Sequence, residues 1–290
     1  MRMITIILPV YNDWPSLSKV LNILEKVKKR EKIKINIIII NDCSTTKINF
    51  NNYYNLNKIY FLNLKKNIGS QKAIATGIKF ATKNKIDKHF VIMDSDGEDN
   101  PFKVSEIIKF IKKKKVDIIT MNRTTRHESF LFSILYELHI FLTLLLTWRY
   151  IRFGNFTYLN LKSMKFISRK KDIWMAYSAT IAKYFHKRNK LEAPRKKRFS
   201  GKSKMKYWQL FFHSFRILSV FKNRILFNTA LYLILIKFIF NLSYLSTFFL
   251  ISLCALSTIN LIILLIDLTF YSSRLKLFNC LKNIKSVKVK

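Results

Sequence analysis

The chain has no paired cysteines. It has only three, Cys43, Cys254 and Cys280, far apart and without the short spacings of a zinc site. A disulfide framework is therefore not expected, and a reducing compartment fits. Acidic residues are also scarce, with 16 Asp and Glu against 53 Lys and Arg, a formal net charge of +37. Such an excess suits nucleic acid, an anionic lipid surface, or a compositional bias running through the whole chain. No nucleic-acid module is recognisable and the basic residues are scattered rather than gathered in one stripe, so no nucleic-acid partner is expected. No secretory leader is expected either: Met1 to Ile6 runs straight into a strand pattern, and the N-terminal part is expected in the cytosol.

What is present is apolar content, 50% of 290 residues, enough for one medium domain and an appendage. Ile4 to Val10 reads as a buried strand. Leu17, Val20, Leu21, Leu24 and Val27 share a helical face. Ile35 to Ile40 is an unbroken apolar run, as in a strand buried on both faces of a parallel sheet. Ile59 to Leu64 reads as a strand. Gly69 to Ala81 reads as a helix whose Ala73, Ala75 and Gly77 permit close packing. Phe90 to Met93 is a strand, Val104 to Lys112 a helix and Val116 to Met121 a strand. The alternation predicts a doubly wound α/β sheet with its ligand beyond the C-terminal strand ends.

The later chain differs. Phe130 to Trp148 (130–148) is apolar but holds Glu137 and His139, and reads as an interfacial amphipathic helix or a core helix. Lys187 to Lys206 (187–206) reads as a long basic loop. Ile225 to Leu242 and Leu245 to Leu268 each approach the ~20 residues that cross a bilayer. Lys and Arg flank the pair on both sides and are absent from Asn241 to Ser246, so both flanks are expected in the cytosol. The expected division is a catalytic domain over 1–224, a transmembrane helix hairpin over 225–272 and a basic tail over 273–290.

Four of the 16 acidic residues fall in Asp94-Ser95-Asp96-Gly97-Glu98-Asp99, directly after a predicted strand. Carboxylates two apart on a turn can converge on a hard cation. Mg²⁺ takes one or two of them and completes its shell with water and phosphate oxygens, which suits a nucleoside diphosphate leaving group. A solvated acidic turn is the plainer alternative. Asp42, at the end of the second strand, can accept a base N–H or simply cap a turn. Asn67 to Ser70 opens a helix whose N-terminus favours phosphate. Arg195 to Lys204 is a phosphate-gripping loop or a solvated basic segment.

In this order the segments resemble family 2 glycosyltransferases of the GT-A fold, most of all the polyprenyl-phosphate branch with its dolichol-phosphate mannosyltransferase-like enzymes. The matching residues are Leu8-Pro9-Val10-Tyr11-Asn12, the Asp42 turn, Asn67 to Gly77, Asp94 to Pro101, Gly154-Asn155-Phe156 and Arg198 to Met205. The likeness spans roughly residues 3 to 224 and implies a Rossmann-like mixed sheet followed by the membrane hairpin. It implies that Pro9, Tyr11, Asp42, Asn67 and Gly69 hold the nucleotide-sugar. Asp94 and Asp96 would face the diphosphate and bind Mg²⁺ or Mn²⁺. Arg123, Arg126, Asn155, Arg198, Ser203 and Lys204 would serve the acceptor or its phosphate. Two departures stand out: Asn41 and Cys43 replace the family's Asp and Gly around Asp42, and Asn155 stands where many relatives have Asp.

The implied activity is inverting transfer from a UDP- or GDP-sugar to a polyprenyl phosphate at the cytosolic face of the membrane, in cell-envelope synthesis. Transfer to a glycolipid saccharide hydroxyl, with Glu98 or Asp99 as base, and a non-catalytic membrane partner are the alternatives. Assembly into a homo-oligomer is left open.

Overall fold

A computed structural model of the chain describes residues 3–46, 55–124, 130–201, 207–239, 246–274 and 281–287. The strands are β1 (Met3–Val10), β2 (Lys34–Asn41), β3 (Lys58–Leu64), β4 (His89–Ile92), β5 (Ile118–Asn122), β6 (Phe153–Asn160), β7 (Asn189–Glu192) and β8 (Leu281–Val287). The helices are α1 (Trp14–Glu31), α2 (Ser70–Lys83), α3 (Val104–Lys113), α4 (Phe130–Thr147), α5 (Leu161–Ser168), α6 (Tyr177–Tyr184), α7 (Tyr207–Ser219), α8 (Lys222–Ile239) and α9 (Thr247–Arg274).

One eight-stranded sheet runs in the order β7-β5-β6-β4-β1-β2-β3-β8. The middle, β4-β1-β2-β3, is parallel throughout. β6 runs antiparallel to both β4 and β5, which makes the sheet mixed. The Ile-rich β2 is buried from Ile35 to Asn41, as its unbroken apolar run requires. One face of the sheet carries α1 and α3, the former through Leu17, Val20, Leu21, Leu24 and Val27. The other carries α2, α5 and α6. On α2, a Cβ at Gly77 would lie 2.8 Å from both Ile40 Cδ1 and Ile7 Cγ2, so only glycine lets this helix lie so close to the sheet. Strand order reverses at β1, between β2 and β4, which by the rule for open α/β sheets puts the ligand crevice beyond their C-terminal ends.

The loop expected over 187–206 is corrected in part. β7 lies inside it, paired parallel to β5 at the sheet edge. Its residues Asn-Lys-Leu-Glu alternate between half-buried and exposed and are joined through backbone bonds, so no apolar pattern announces it. The tail expected over 273–290 likewise contains a strand, β8, antiparallel to β3.

α4 buries Ile140, Thr143, Leu146 and Thr147 while leaving Phe141 59% and Leu138 49% exposed. Its buried side meets α8, where Asn228 Nδ2 donates to the Leu146 carbonyl at 2.9 Å. By length and composition Thr247–Phe270 of α9 can cross a membrane. α8 does not reach that measure alone among the described helices. It does so together with the end of α7, from which it is bent by 89°. Ile217, Leu218, Ile225 and Ile263 belong to the same core as α2, so the C-terminal helices are packed onto the α/β domain. Lys222 and Asp267 tie the start of α8 to the end of α9 as an ion pair. Of the connector expected at 241–246, only Ser246 lies within the described residues.

Candidate active site

The crevice is built from chain turns that leave the central strands. At the end of β1 the Pro9 carbonyl accepts from Ser95 Oγ at 2.6 Å, and the Val10 carbonyl accepts from the Asp42 amide at 2.9 Å. Tyr11 follows, 39% exposed at the rim. Asn12, in left-handed geometry at φ 48°, accepts the Thr45 amide on Oδ1 at 2.8 Å and so staples this turn to the one after β2.

Asp42 is buried, and its two carboxylate oxygens accept the backbone N–H groups of Ile68 and Gly69 at 2.7 and 2.8 Å. Asn67 Oδ1 also accepts from Gly69 at 3.2 Å. The N-terminal approach to α2 is thus already covered by a carboxylate, which meets the positive end of the helix. Burial raises the Asp42 carboxyl above its ordinary range, against those two bonds and nearby Lys72.

The acidic turn follows β4. Asp99 bends back, and its Oδ2 accepts the Asp94 amide at 3.0 Å. Asp96 Oδ1 accepts the Glu98 amide at 3.0 Å. Gly97 supplies the φ of +87° that the reversal needs. Burial, together with the carboxylates of Asp94, Glu98 and Asp99, pushes Asp96 up to about 7 although Arg198 pulls the other way. Asp99 rises to about 6 through burial and the charge of Asp94, against Arg123 and Arg195.

The basic segment after β7 lies across this turn. The amides of Lys196 and Phe199 donate to the Glu98 and Asp96 carbonyls at 2.9 and 3.0 Å. The Arg195 guanidinium grips Glu98, with Nε at 2.9 Å from Oε2. Arg198 lies between two carboxylates, 3.2 Å from Asp96 and 3.4 Å from Asp13. The Phe199 ring covers Gly97 so closely that any Cβ there would collide with it. Arg123 reaches the turn from the end of β5, 3.9 Å from Asp99, and crosses Gly154 where a side chain would clash with its guanidinium.

Asn155 lies at the centre. Its Nδ2 donates to Asp94 Oδ1 at 2.9 Å, and its Oδ1 accepts from Gln71 Nε2 at 3.2 Å. The structure thus brings Pro9, Asp42, Asp94, Asp96, Glu98, Asp99, Arg123, Asn155 and Arg198 to one crevice. Arg126, Ser203 and Lys204 lie outside the described residues. Gln71, Asp13 and the grip of Arg195 on Glu98 are not legible in the sequence. Each is a long-range contact without local spacing to mark it.

Among the described residues, no group of three or more His, Cys, Asp or Glu side chains could hold a metal by itself. Asp94 and Asp96 still fit one. Crowded carboxylates are what a divalent cation relieves, and Mg²⁺ needs only one or two of them when a diphosphate completes its shell.

The family model for glycosyl transferase family 2 matches residues 5–169, more than half of the chain. An uncharacterized protein of Methanocaldococcus jannaschii is 28% identical over 118 residues, covering 39% of this chain and 51% of the relative, so the match spans about half of that protein's length. Glucosyl-3-phosphoglycerate synthase from Mycobacterium tuberculosis, solved with Mn²⁺, UDP and glucosyl-3-phosphoglycerate, superposes with a TM-score of 0.51 at 10% identity, over 77% of this chain and 80% of that one. S. aureus TarS in complex with UDP-GlcNAc gives a TM-score of 0.47 at 15% identity, over 77% and 66%.

Proposed function

The chain belongs to glycosyl transferase family 2, and from that premise we propose that it is a membrane-bound inverting enzyme moving a sugar from a UDP- or GDP-sugar to a polyprenyl phosphate. In this reading it works at the cytosolic face in cell-envelope glycan synthesis. Pro9, Tyr11 and Asp42 line the nucleotide end of the crevice, with Asn67 and Gly69 behind Asp42. Asp94 and Asp96 face the diphosphate. They would hold Mg²⁺ or Mn²⁺, whose chemistry is to neutralise charge on the departing diphosphate. The M. tuberculosis synthase holds Mn²⁺ together with UDP, and this chain would pair metal and nucleotide in the same way.

One observation carries the choice of acceptor. Around the reacting end, the carboxylates outside the metal-facing pair are already engaged. Glu98 is held by Arg195, and Asp99 by the Asp94 amide and Arg123. Asn155, where many relatives have Asp, donates its amide N–H to Asp94. A hydroxyl acceptor needs a base, whereas a phosphate monoester arrives ionised. Arg123, Arg198 and the basic loop suit such an anion. The exposed apolar side of α4 suits its lipid chain.

Parity supports the membrane hairpin. β8 follows α9 yet pairs with β3 of the catalytic sheet. If α9 crosses the bilayer, the chain must cross a second time before the tail can rejoin the sheet, and α8, packed along α9, is the segment placed to do so.

A second reading has one observation in its favour. Burial and the charge of Asp94 raise the Asp99 carboxyl to about 6, the direction that a base for a saccharide hydroxyl of a glycolipid requires once the carboxyl is released from Arg123. The test uses protein in detergent with undecaprenyl phosphate, Mg²⁺ and a panel of radiolabelled UDP- and GDP-sugars, with Asp96→Ala as control. Label entering the organic phase only with metal and Asp96 supports the proposal. Metal-dependent donor binding without lipid labelling moves the acceptor to a hydroxyl. No donor binding leaves a non-catalytic membrane partner.

A further inference from the structure

A chain of two side-chain amides ends on Asp94, and one backbone group sets its direction. The Tyr177 amide, first in α6, can only donate, and it donates to Gln71 Oε1 at 2.7 Å. Gln71 Nε2 is thereby turned to Asn155 Oδ1 at 3.2 Å, and Asn155 Nδ2 to Asp94 Oδ1 at 2.9 Å. Reversing Gln71, Asn155 or both would set donor against donor or acceptor against acceptor at two of the three contacts. The chain joins α6, α2, β6 and the turn after β4, four elements far apart in sequence. Asn155 is buried to 9% exposure, where a mismatched amide is expensive.

We propose that Gln71 is a positioning residue: by holding the Asn155 amide with its N–H toward Asp94, it orients the Asp94 carboxylate for the donor diphosphate. This rests on the proposed placement of the donor at Asp94. It also gives Asn155 a reason to be an amide. An aspartate there would accept from Gln71 but repel Asp94.

Gln71→Glu tests the direction of the chain. The introduced carboxylate can still accept from Tyr177, but when ionised it cannot donate to Asn155 Oδ1. When protonated it can. The readout is Mn²⁺-dependent binding of UDP-glucose and GDP-mannose, taken as the ratio of variant to wild type at each pH. The expected result is binding roughly tenfold weaker at about pH 8, recovering toward wild type near about pH 5 as the introduced carboxylate gains its proton. Gln71→Ala is expected to lose a similar factor with no recovery. A ratio near one throughout, or a deficit in Gln71→Glu that ignores pH, overturns the proposal. Thermal melting separates this from failure of the functional reading. If wild type binds neither nucleotide sugar, the donor site falls. The amide chain then stands if the melting deficit of Gln71→Glu shrinks on acidification, and falls if it stays flat.

Discussion

Gly97 carries two demands at once, a positive φ and room for the Phe199 ring. Gly97→Ala meets neither and should destabilise the protein by about 2–3 kcal/mol. Melting together with Mn²⁺-dependent donor binding checks this, and wild-type donor binding would show the Phe199 contact to be dispensable. Asp96 makes a prediction of opposite sign for stability. Folding raises its carboxyl to about 7 from an ordinary 3.8, so the native state holds the proton more tightly than the unfolded chain. Its penalty is absent below about pH 4 and grows as pH rises through about 7. In chelator, the melting temperature should therefore fall between those values. Asp96→Asn should flatten the fall and gain roughly 1–2 kcal/mol at neutral pH while abolishing metal-dependent transfer. An Asp96→Asn protein less stable than wild type at neutral pH would mean that its pairing with Arg198 outweighs the repulsion.

The elements show where a periodic pattern informs and where it does not. β1, β2, β3, α1, α2 and α3 are legible because burial on one or both faces forces their apolar period. β7 is not, since a four-residue edge strand paired through its backbone has only Leu191 against the core and so shows no apolar period. β6, α5 and α6 also leave no clear signal. The residues of α5 and α6 acquire meaning only against α2, and those of β6 only between β4 and β5. That helix gives the third prediction. Gly77→Ala adds a methyl 2.8 Å from Ile7 and Ile40, and should destabilise by about 1–3 kcal/mol despite alanine's better helix propensity. Denaturant unfolding reads it. A neutral or stabilising result would show that α2 can shift off the sheet without penalty.

At the scale of the whole molecule, the C-terminal helices are joined to the catalytic domain rather than appended to it. Ile225 and Ile263 share a core with Ile74, Ile78 and Tyr177. A truncated chain of residues 1–224 should therefore aggregate or melt well below the full protein in detergent, and a soluble, equally stable fragment would refute the shared core. The return of β8 to β3 makes a topological prediction. Tags at the two termini should be cleaved by protease from the same side of sealed vesicles. Opposite sides would exclude either the strand pairing or the even number of crossings.

Local patterns along the chain establish the parallel half of the sheet, the acidic turn after β4, the family membership carried by residues 5–169 and the apolar length of α9. Each is a local pattern, readable because backbone period, turn chemistry and bilayer thickness act on neighbouring residues. It takes the folded chain to show that Asp42 lies on the approach to α2, that Arg195 and Arg198 close on carboxylates about a hundred residues away, that Asn155 turns its amide toward Asp94, and that the tail rejoins the sheet. Those are pairings of single polar groups across long stretches of chain. Their energy depends on burial and distance, and neither is written into any stretch of sequence short enough to read.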